Sequence, residues 1–196
     1  AHLDRLRAFM ELAQARDLDV CVTLFNGWIS GYAFKPPFQG DSSFYALGSS
    51  AAAQELYVTE VAAAVGGYDN FLGFDLGNEM NCCWHTDDLS QGDAWHAHMM
   101  GLAQKLCPRG VHVNGVDHNP WFGPASFSPQ ALARTQAIIA LHCWTFFTGA
   151  LERSGGDCFA PRALQLLATM AALARCYAGD PQKPVWVQEY GMAETW

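Results

Sequence analysis

The stretch Phe71-Leu-Gly-Phe-Asp-Leu-Gly-Asn-Glu79 decides the fold class and contains a candidate site residue. Its first seven residues form an apolar run of strand length, which is typical of a buried strand. Apolar side chains alternate with small or acidic ones, and a strand sends alternate residues to opposite faces. The apolar set is Leu72, Phe74 and Leu76, and the other set is Gly73, Asp75, Gly77 and Glu79. We expect the apolar set to face covering helices and the other set to face the interior of a barrel.

Segments of the same kind recur along the chain, and helical patterns separate them. Apolar runs predict strands at residues 19–25, 71–77, 111–115, 138–143 and 185–189. Helical periodicity and start signals predict helices at residues 3–16, 49–65, 93–106, from 129, and 161–177. Serine caps are expected where helices begin near Ser49, Ser50 and Ser128. Strict alternation predicts an α/β fold with a parallel sheet, either doubly wound or an arc of a β/α barrel.

Composition excludes several classes of protein. The chain has 196 residues, 51% of them hydrophobic, so it can build a sizeable core and is not disordered. Its net charge of −8 argues against binding to the phosphates of nucleic acid. No apolar run approaches the ~20 residues of a membrane span. Residues 26–32, after the first strand, contain no G-x-G-x-x-G fingerprint, which disfavours a nucleotide-binding sheet.

Two clusters of potential metal ligands have simpler explanations. Cys82 and Cys83 are adjacent and precede His85, whereas zinc sites usually need the spacing C-x₂₋₄-C. We therefore expect loop thiols and a surface imidazole there, and no metal site. Asp117 and His118 are consistent either with an acid–imidazole pair or with a simple turn. The seven cysteines, an odd number, are expected to be mostly buried free thiols.

Polar and aromatic residues follow the predicted strands at their carboxyl ends, where β/α barrels place their active sites. They include Asn26, Trp28, Asn78, Glu79, Asp117, His142, Trp144, Glu189 and Tyr190. If strand alternation holds, Glu79 and Glu189 both face the barrel interior. Two carboxyl groups flanking one bond are what glycoside hydrolysis requires, one holding a proton and the other ionised. The sequence therefore predicts a glycosidase site at this edge of the sheet.

Short motifs at two of these strand ends carry a family resemblance. Asp-Leu-Gly-Asn78-Glu79, and Val-Gln-Glu189-Tyr-Gly three strands later, resemble the retaining glycoside hydrolases of clan A. Family 5, which contains cellulases, β-mannanases and their relatives, is the most similar. The resemblance implies that Glu79 is the acid/base, Glu189 the nucleophile, and Asn78 a ligand of the sugar 2-hydroxyl, while His142 holds substrate or the carboxylates. It implies hydrolysis of a β-linked glucan or mannan without a cofactor.

The same resemblance sets the register of the chain within a (β/α)8 TIM barrel. If residues 71–77 are the fourth strand, residues 185–189 are the seventh. Residues 1–196 would then be a partial catalytic domain with strands three to seven, lacking strands one, two and eight. Asn26 and Trp28 resemble the third-strand loop of mannanase-like members, where both would contact substrate. A catalytically inactive carbohydrate-binding relative, or an inactive fragment, is the alternative. Secretion is the family expectation, and the sequence leaves localisation and oligomeric state open.

The chain departs from the family pattern after the sixth strand. Family 5 typically has His-x-Tyr there, and its Tyr hydrogen-bonds the nucleophile, whereas this chain has Trp144. Tyr190 could substitute only if its strand end turns, and both residues are candidate substrate contacts. The long loop at 26–48 raises a second open question, because its aromatic side chains either form a sugar-stacking platform or pack as a mini-core. These aromatic residues are Trp28, Tyr32, Phe34, Phe38, Phe44 and Tyr45.

Overall fold

The computed structural model describes residues 1–29, 32–33, 36, 43–123 and 125–191. The strands are β1 (Val20–Asn26), β2 (Trp28–Ile29), β3 (Tyr32–Ala33), β4 (Phe71–Asn78), β5 (Ile139–Trp144) and β6 (Val185–Gly191). The α-helices are α1 (His2–Gln14), α2 (Ser49–Val65), α3 (Leu89–Leu106), α4 (Asn119–Phe122), α5 (Pro129–Thr135), α6 (Ala150–Arg153), α7 (Pro161–Leu164) and α8 (Leu166–Ala178). None of these described helices is long and apolar enough to cross a bilayer.

Parallel strands form the framework that carries the candidate site. β1 pairs in parallel with β4, and β5 pairs in parallel with β6. Residues 111–115 lie along β4, because Val113 N donates to Phe74 O at 2.9 Å and Leu76 N donates to Val113 O at 2.8 Å. The parallel α/β arrangement predicted from the alternation of elements is therefore confirmed.

The predicted strand at 111–115 is reduced to a single bridge between Asp75 and Val113. The backbone N–H groups that follow bond to side chains. The N–H of Asn114 donates to Gln136 Oε1 at 2.9 Å, and the N–H of Gly115 donates to Asp75 Oδ1 at 2.8 Å. Side-chain acceptors thus replace a strand partner, which an apolar run does not reveal.

The core lies between this sheet and its covering helices. Phe74 and Leu76 are fully buried in it, together with Trp95 of α3, as the alternation along β4 predicts. Leu72, at the start of the same strand, is 38% exposed and does not join the core. Asp75 is buried as well and belongs to the opposite strand face.

Gly73 is required where residue 111 approaches β4. A Cβ built on Gly73 would lie 1.7 Å from the carbonyl oxygen of Val111, and the φ angle of Gly73 is +158°. Any larger residue would separate the two segments. The glycine is therefore needed for the close approach of the backbone that precedes Asn114 and Gly115.

Three helix predictions have different outcomes. The predicted helix at 161–177 forms two helices, α7 and α8, with Gln165 between them, and nothing in the local sequence explains the interruption. The serine caps predicted for α2 are wrong, because Gly48 occupies the cap position without a side-chain hydrogen bond. Ser128 caps α5 as predicted, since its hydroxyl accepts from Ala131 N at 3.2 Å.

The loop at 26–48 contains a short antiparallel pair, β2 and β3. Phe44 stacks on Trp84 with ring centroids 4.1 Å apart, and both Phe44 and Tyr45 are buried. For these two residues the mini-core interpretation is confirmed, and a buried ring cannot serve as a sugar platform. The other aromatic side chains of the loop lie outside the described part of the chain: Trp28, Tyr32, Phe34 and Phe38.

Candidate active site

The two carboxyl groups singled out in the sequence meet on either side of one imidazole. His142 Nδ1 of β5 lies 3.1 Å from Glu79 Oε1 and 3.5 Å from Glu189 Oε2. One oxygen of each carboxyl group and the imidazole nitrogen lie within 4.8 Å of one another. The side chain of His142 is 2% exposed, that of Glu79 14% and that of Glu189 33%. The cluster is thus reachable from solvent through its carboxyl groups and closed behind the imidazole.

A strained backbone presents Glu79. The residue follows β4 in the left-handed conformation, with φ 45° and ψ 41°, which costs a non-glycine residue about 1–3 kcal/mol. Its N–H donates to Gly115 O at 2.7 Å, which holds the turn. The loop after β1 packs against it closely, since a Cβ on Gly27 would lie 2.5 Å from Met80 Cα. Both neighbours therefore support the position of the Glu79 carboxyl group.

Gln188 and Asp75 continue the cluster behind His142. His142 Nε2 lies 3.2 Å from Gln188 Oε1, and Gln188 Nε2 donates to Asp75 Oδ2 at 3.4 Å. The other oxygen of Asp75 accepts from the N–H groups of Gly115 and Gly77 at 2.8 and 3.2 Å. Every polar group in this row is therefore paired with its neighbour.

No pattern in the sequence indicated Gln188, because a regular strand would point its side chain away from the face of Glu189. The pairing of β5 and β6 contains a register shift: Leu141 pairs with Val187, but His142 pairs with Glu189. Gln188 is the extra residue of this bulge, and a bulge re-aims side chains. Gln188 and Glu189, although adjacent in the strand, consequently both reach His142. The sequence pattern did indicate Asp75, because this residue belongs to the same alternating set as Glu79 along β4.

Two groups of the cluster, His142 and Asp75, each contribute to the pKa shift of the other. Burial lowers the pKa of His142, but its hydrogen bond with Glu79 and the charges of Glu189, Glu79 and Asp75 outweigh burial, and the net pKa is raised. Burial raises the pKa of Asp75 to about 6, although the Gly115 N–H, the charge of His142 and further hydrogen bonds oppose it. Because the charge of each group is among the causes of the other's shift, the protonation of His142 and that of Asp75 are coupled.

Trp144 takes the place of the missing tyrosine. Its indole Nε1 donates a hydrogen bond to Glu189 Oε2 at 2.9 Å. Its ring packs on the backbone of Gly191, where a Cβ would lie 2.3 Å from the ring. β6 continues through Gly191 without turning, and Tyr190 is 72% exposed. The donor to Glu189 is thus an indole, and Tyr190 does not substitute for the family tyrosine.

Two asparagines lie side by side next to Glu79. Asn26 and Asn78 are register partners at the ends of β1 and β4. Asn26 Oδ1 is buried and has no hydrogen-bond partner among the described residues, so it is an acceptor available to a ligand. The backbone of Trp28 follows directly in β2, but its side chain lies outside the described residues.

The cysteine loop after Glu79 serves packing. Cys83 Sγ donates to Gly27 O at 2.7 Å, Cys82 Sγ donates to Asp117 Oδ2 at 3.4 Å, and both sulfurs are thiols and not a disulfide. Asp117 also accepts from Asn81, so its hydrogen bonds support a structural turn and not a pair with the neighbouring imidazole.

One group of described residues has the geometry to hold a cation. It consists of Glu79, His142 and Glu189. These donors are already hydrogen-bonded to protein groups, and we assign no metal to them.

Comparisons with known proteins identify solved structures that this chain resembles. No family model and no curated protein sequence matches the chain. Among solved structures, a GH5_18 from Streptomyces cattleya in complex with GlcNAc is 27% identical, with a TM-score of 0.86 over 95% of this chain and 47% of that chain. A single-site variant of it in complex with Manb1-4GlcNAc is also 27% identical, with a TM-score of 0.85 over 95% and 47%. An exo-beta-1,4-mannosidase from Opitutaceae bacterium strain TAV5 is 22% identical, with a TM-score of 0.79 over 97% and 35%, which shows the fold.

The fold is therefore that of the α/β barrels of glycoside hydrolases. The resemblance to family 5 of clan A, expected from two short motifs, is confirmed. The chain spans about half the length of the first solved structures that it matches, 47% in each GH5_18 form.

Proposed function

We propose that this chain carries the catalytic pair of a retaining glycoside hydrolase that cleaves β-mannosidic bonds. The supporting observation is the approach of Glu79 and Glu189 to within 4.8 Å between their nearest oxygens. Retaining enzymes hold their carboxyl groups ~5–5.5 Å apart, whereas inverting enzymes leave ~6.5–9.5 Å for a water molecule. The short separation leaves no room for that water and favours a covalent intermediate.

Each carboxyl group takes the role that its surroundings support. Glu189 accepts the N–H of Trp144, a charge-assisted hydrogen bond that orients its carboxyl group for attack on the anomeric carbon. Glu79 is less exposed and contacts His142, so it can exchange a proton inside the cluster. In the first step a Glu189 oxygen bonds to the anomeric carbon while Glu79 protonates the departing glycosidic oxygen. In the second step Glu79 takes a proton from water, and that water releases the sugar from Glu189.

The asparagines supply a binding edge for the sugar. Asn26 Oδ1 is a buried acceptor without a partner among the described residues, so a sugar hydroxyl can satisfy it. Asn78 lies beside it in register, adjacent to the acid/base. Hydrogen bonds to the 2-hydroxyl strengthen in the transition state of glycoside hydrolysis. We assign this contact to Asn78.

A β-mannoside is the substrate class favoured over a glucan. The similar GH5_18 binds Manb1-4GlcNAc in its variant form, and a second neighbour is named as an exo-beta-1,4-mannosidase. Mannose and glucose differ at the 2-hydroxyl, which is the group that Asn78 is expected to contact. A comparison of aryl β-mannoside with aryl β-glucoside hydrolysis therefore tests the substrate class directly.

Covalent labelling tests the proposal. The native protein that carries this chain is incubated with 2-deoxy-2-fluoro-β-mannosyl fluoride, and its intact mass and peptide map are recorded. We expect one added fluoromannosyl group on Glu189, none in Glu189→Gln, and none on other carboxylates. Glu79→Ala should still be labelled, and azide should restore its hydrolysis of activated aryl mannosides with a β-mannosyl azide product.

The alternative, an inactive carbohydrate-binding relative, predicts a different result. It was favoured by the missing tyrosine, and Trp144 now supplies a donor to Glu189. Mannosyl oligosaccharide binding by calorimetry, with no label on Glu189 and no turnover, would establish the alternative. Labelling of another carboxylate would overturn the assignment of the nucleophile.

A further inference from the structure

The row of groups behind His142 reaches from the catalytic cluster to a buried carboxyl group. It runs from Glu79 through His142 and Gln188 to Asp75, at 3.1, 3.2 and 3.4 Å in turn. Gln188 and, beyond it, Asp75 lie on the Nε2 side of His142, whereas the two glutamates contact its Nδ1. Neither Gln188 nor Asp75 has a role in the proposed chemistry so far, although the bulge in β6 is what brings Gln188 into the row.

We propose that Asp75 and Gln188 are positioning residues that keep a hydrogen on Nε2 of His142, so that Nδ1 and Glu79 share the proton used in catalysis. This inference rests on the proposed function for its consequence, but not for its structural content.

Donor and acceptor rules fix the direction of the two hydrogen bonds that Gln188 makes. Near neutral pH Asp75, whose pKa is raised only to about 6, is ionised and accepts hydrogen bonds, so the amide NH₂ of Gln188 faces it. The amide oxygen of Gln188 then faces His142, and an oxygen requires a donor. Nε2 of His142 must therefore carry a hydrogen.

The geometry around Gly115 shows that this contact is built into the sheet. A Cβ added to Gly115 would lie 2.7 Å from His142 Nε2, 2.8 Å from Gln188 Oε1 and 2.9 Å from Asp75 Oδ2. The three polar atoms thus converge on the space that a side chain would fill. The N–H of the same glycine anchors the carboxyl group of Asp75.

The consequence for catalysis follows from counting protons. With Nε2–H fixed, a hydrogen bond between Nδ1 and Glu79 needs one more proton, carried either by the imidazole or by the carboxyl group. That proton is what Glu79 transfers to the departing oxygen, and water returns it in the second step. With the opposite tautomer, Nδ1–H donates to an ionised Glu79, and the pair has no proton to give.

The other charged groups around the row are compatible with this arrangement. Glu189 faces Nδ1 of His142 at 3.5 Å, on the side away from Gln188, so it also favours the additional proton. Among the described residues, Cys21 of β1 is a further ionisable group near Asp75, and burial, followed by the charge of Asp75, raises its pKa to about 12. Its thiol therefore stays neutral and adds no charge to the row.

Nitrogen-15 NMR of the labelled imidazoles tests the proposal without any turnover. The His142 signals are identified by their loss in His142→Gln. Near neutral pH we expect a hydrogen on Nε2. The ring is then either a neutral imidazole without a hydrogen on Nδ1 or an imidazolium with a hydrogen on both nitrogens. A neutral imidazole with hydrogen on Nδ1 would overturn the proposal even if the protein is a glycosidase, whereas failure of labelling at Glu189 would leave this measurement unaffected.

Asp75→Asn provides the functional test. The new amide keeps its oxygen on the backbone donors and turns its NH₂ to Gln188, whose own amide must then reverse and force the hydrogen to Nδ1. We expect kcat/KM for mannosides with alcohol leaving groups to fall by about 10²-fold or more, the scale of lost general-acid catalysis. A dinitrophenyl mannoside needs no protonation and should change by less than about threefold.

Two further variants complete the design. Gln188→Leu should show the same dependence on leaving group, since it removes the link altogether. Asp93→Asn is the matched control, because Asp93 accepts from Ser128 far from the row, and neither substrate should change selectively. Equal losses on both substrates in Asp75→Asn and Gln188→Leu, with Nε2 still protonated, would show a merely structural role and overturn the proposal.

Discussion

Removing the indole donor to Glu189 tests how the nucleophile is held. Trp144→Phe deletes the N–H that lies 2.9 Å from Glu189 Oε2 and keeps an aromatic ring against Gly191. A hydrogen bond to a charged group contributes ~1.5–3 kcal/mol, which corresponds to ~10- to 150-fold in rate if it is lost in the transition state. Because Glu189 is one-third exposed, water can replace part of the bond, and we expect the lower half of that range.

The assay is steady-state hydrolysis of an aryl β-mannoside by the native protein that carries the chain. We expect kcat/KM to fall by about 10- to 40-fold in Trp144→Phe. Trp144→Tyr is the matched control, since a phenol restores a donor of the kind found in family 5. It should recover most of the loss, while both variants keep the melting temperature within a few degrees of each other.

Two results would refute this reasoning. If Trp144→Phe stays within about threefold of the parent protein, the hydrogen bond contributes less than ~0.7 kcal/mol to catalysis. If Trp144→Tyr and Trp144→Phe lose activity equally while remaining folded, the shape of the indole matters and its N–H does not. Either result would return weight to the inactive alternative.

Two stability predictions follow from the fold. Gly73→Ala places a Cβ on the carbonyl of Val111, and this overpacking should lower the unfolding free energy by ~3 kcal/mol or more. Gly101→Ala is the control and should not destabilise the protein, because a Cβ there has nothing within 4 Å. Equal denaturation midpoints for the two variants would contradict the prediction. Burial lowers the pKa of His96 in the folded protein to about 4, below the ~6.5 of an unfolded histidine. As the pH drops from ~6.5 toward ~4, the unfolded chain therefore binds a proton at His96 that the folded protein does not. The unfolding free energy should fall over this range by up to ~1.4 kcal/mol per pH unit. His96→Gln should flatten that slope in urea titrations at several pH values, and an unchanged slope would exclude His96 as its source.

Much of the fold was predictable because apolar runs and helical periodicity report burial. The alternation along β4 predicted the buried Phe74 and Leu76, and the carboxyl ends of the strands indicated where Glu79 and Glu189 would lie. Ser128 was recognised as a cap because its hydroxyl acts locally on its own helix.

The remaining features depend on contacts between distant residues. The segment at 111–115 pairs little because Gln136 and Asp75 take the N–H groups of Asn114 and Gly115, and these acceptors are far away in sequence. Gln188 was missed because strand alternation fails at a bulge. The hydrogen bond from Trp144 to Glu189 was not predicted, because an indole N–H can replace a phenol O–H only in a geometry that the sequence does not state.

The bulge in β6 is needed for the proposed chemistry of this chain but not for its strand pairing. Pairing with β5 is regular on both sides of Gln188, so the sheet itself has no need of the additional residue. Shortening the strand by that one residue would restore an uninterrupted ladder and leave a single side chain, instead of two neighbours, next to the imidazole. Deletion of the single codon for Gln188 could thus leave a regularly paired strand that lacks the amide proposed to orient His142. Sequence similarity across such a deletion would remain almost complete, so the length of this strand, and not overall identity, would distinguish chains with and without that amide.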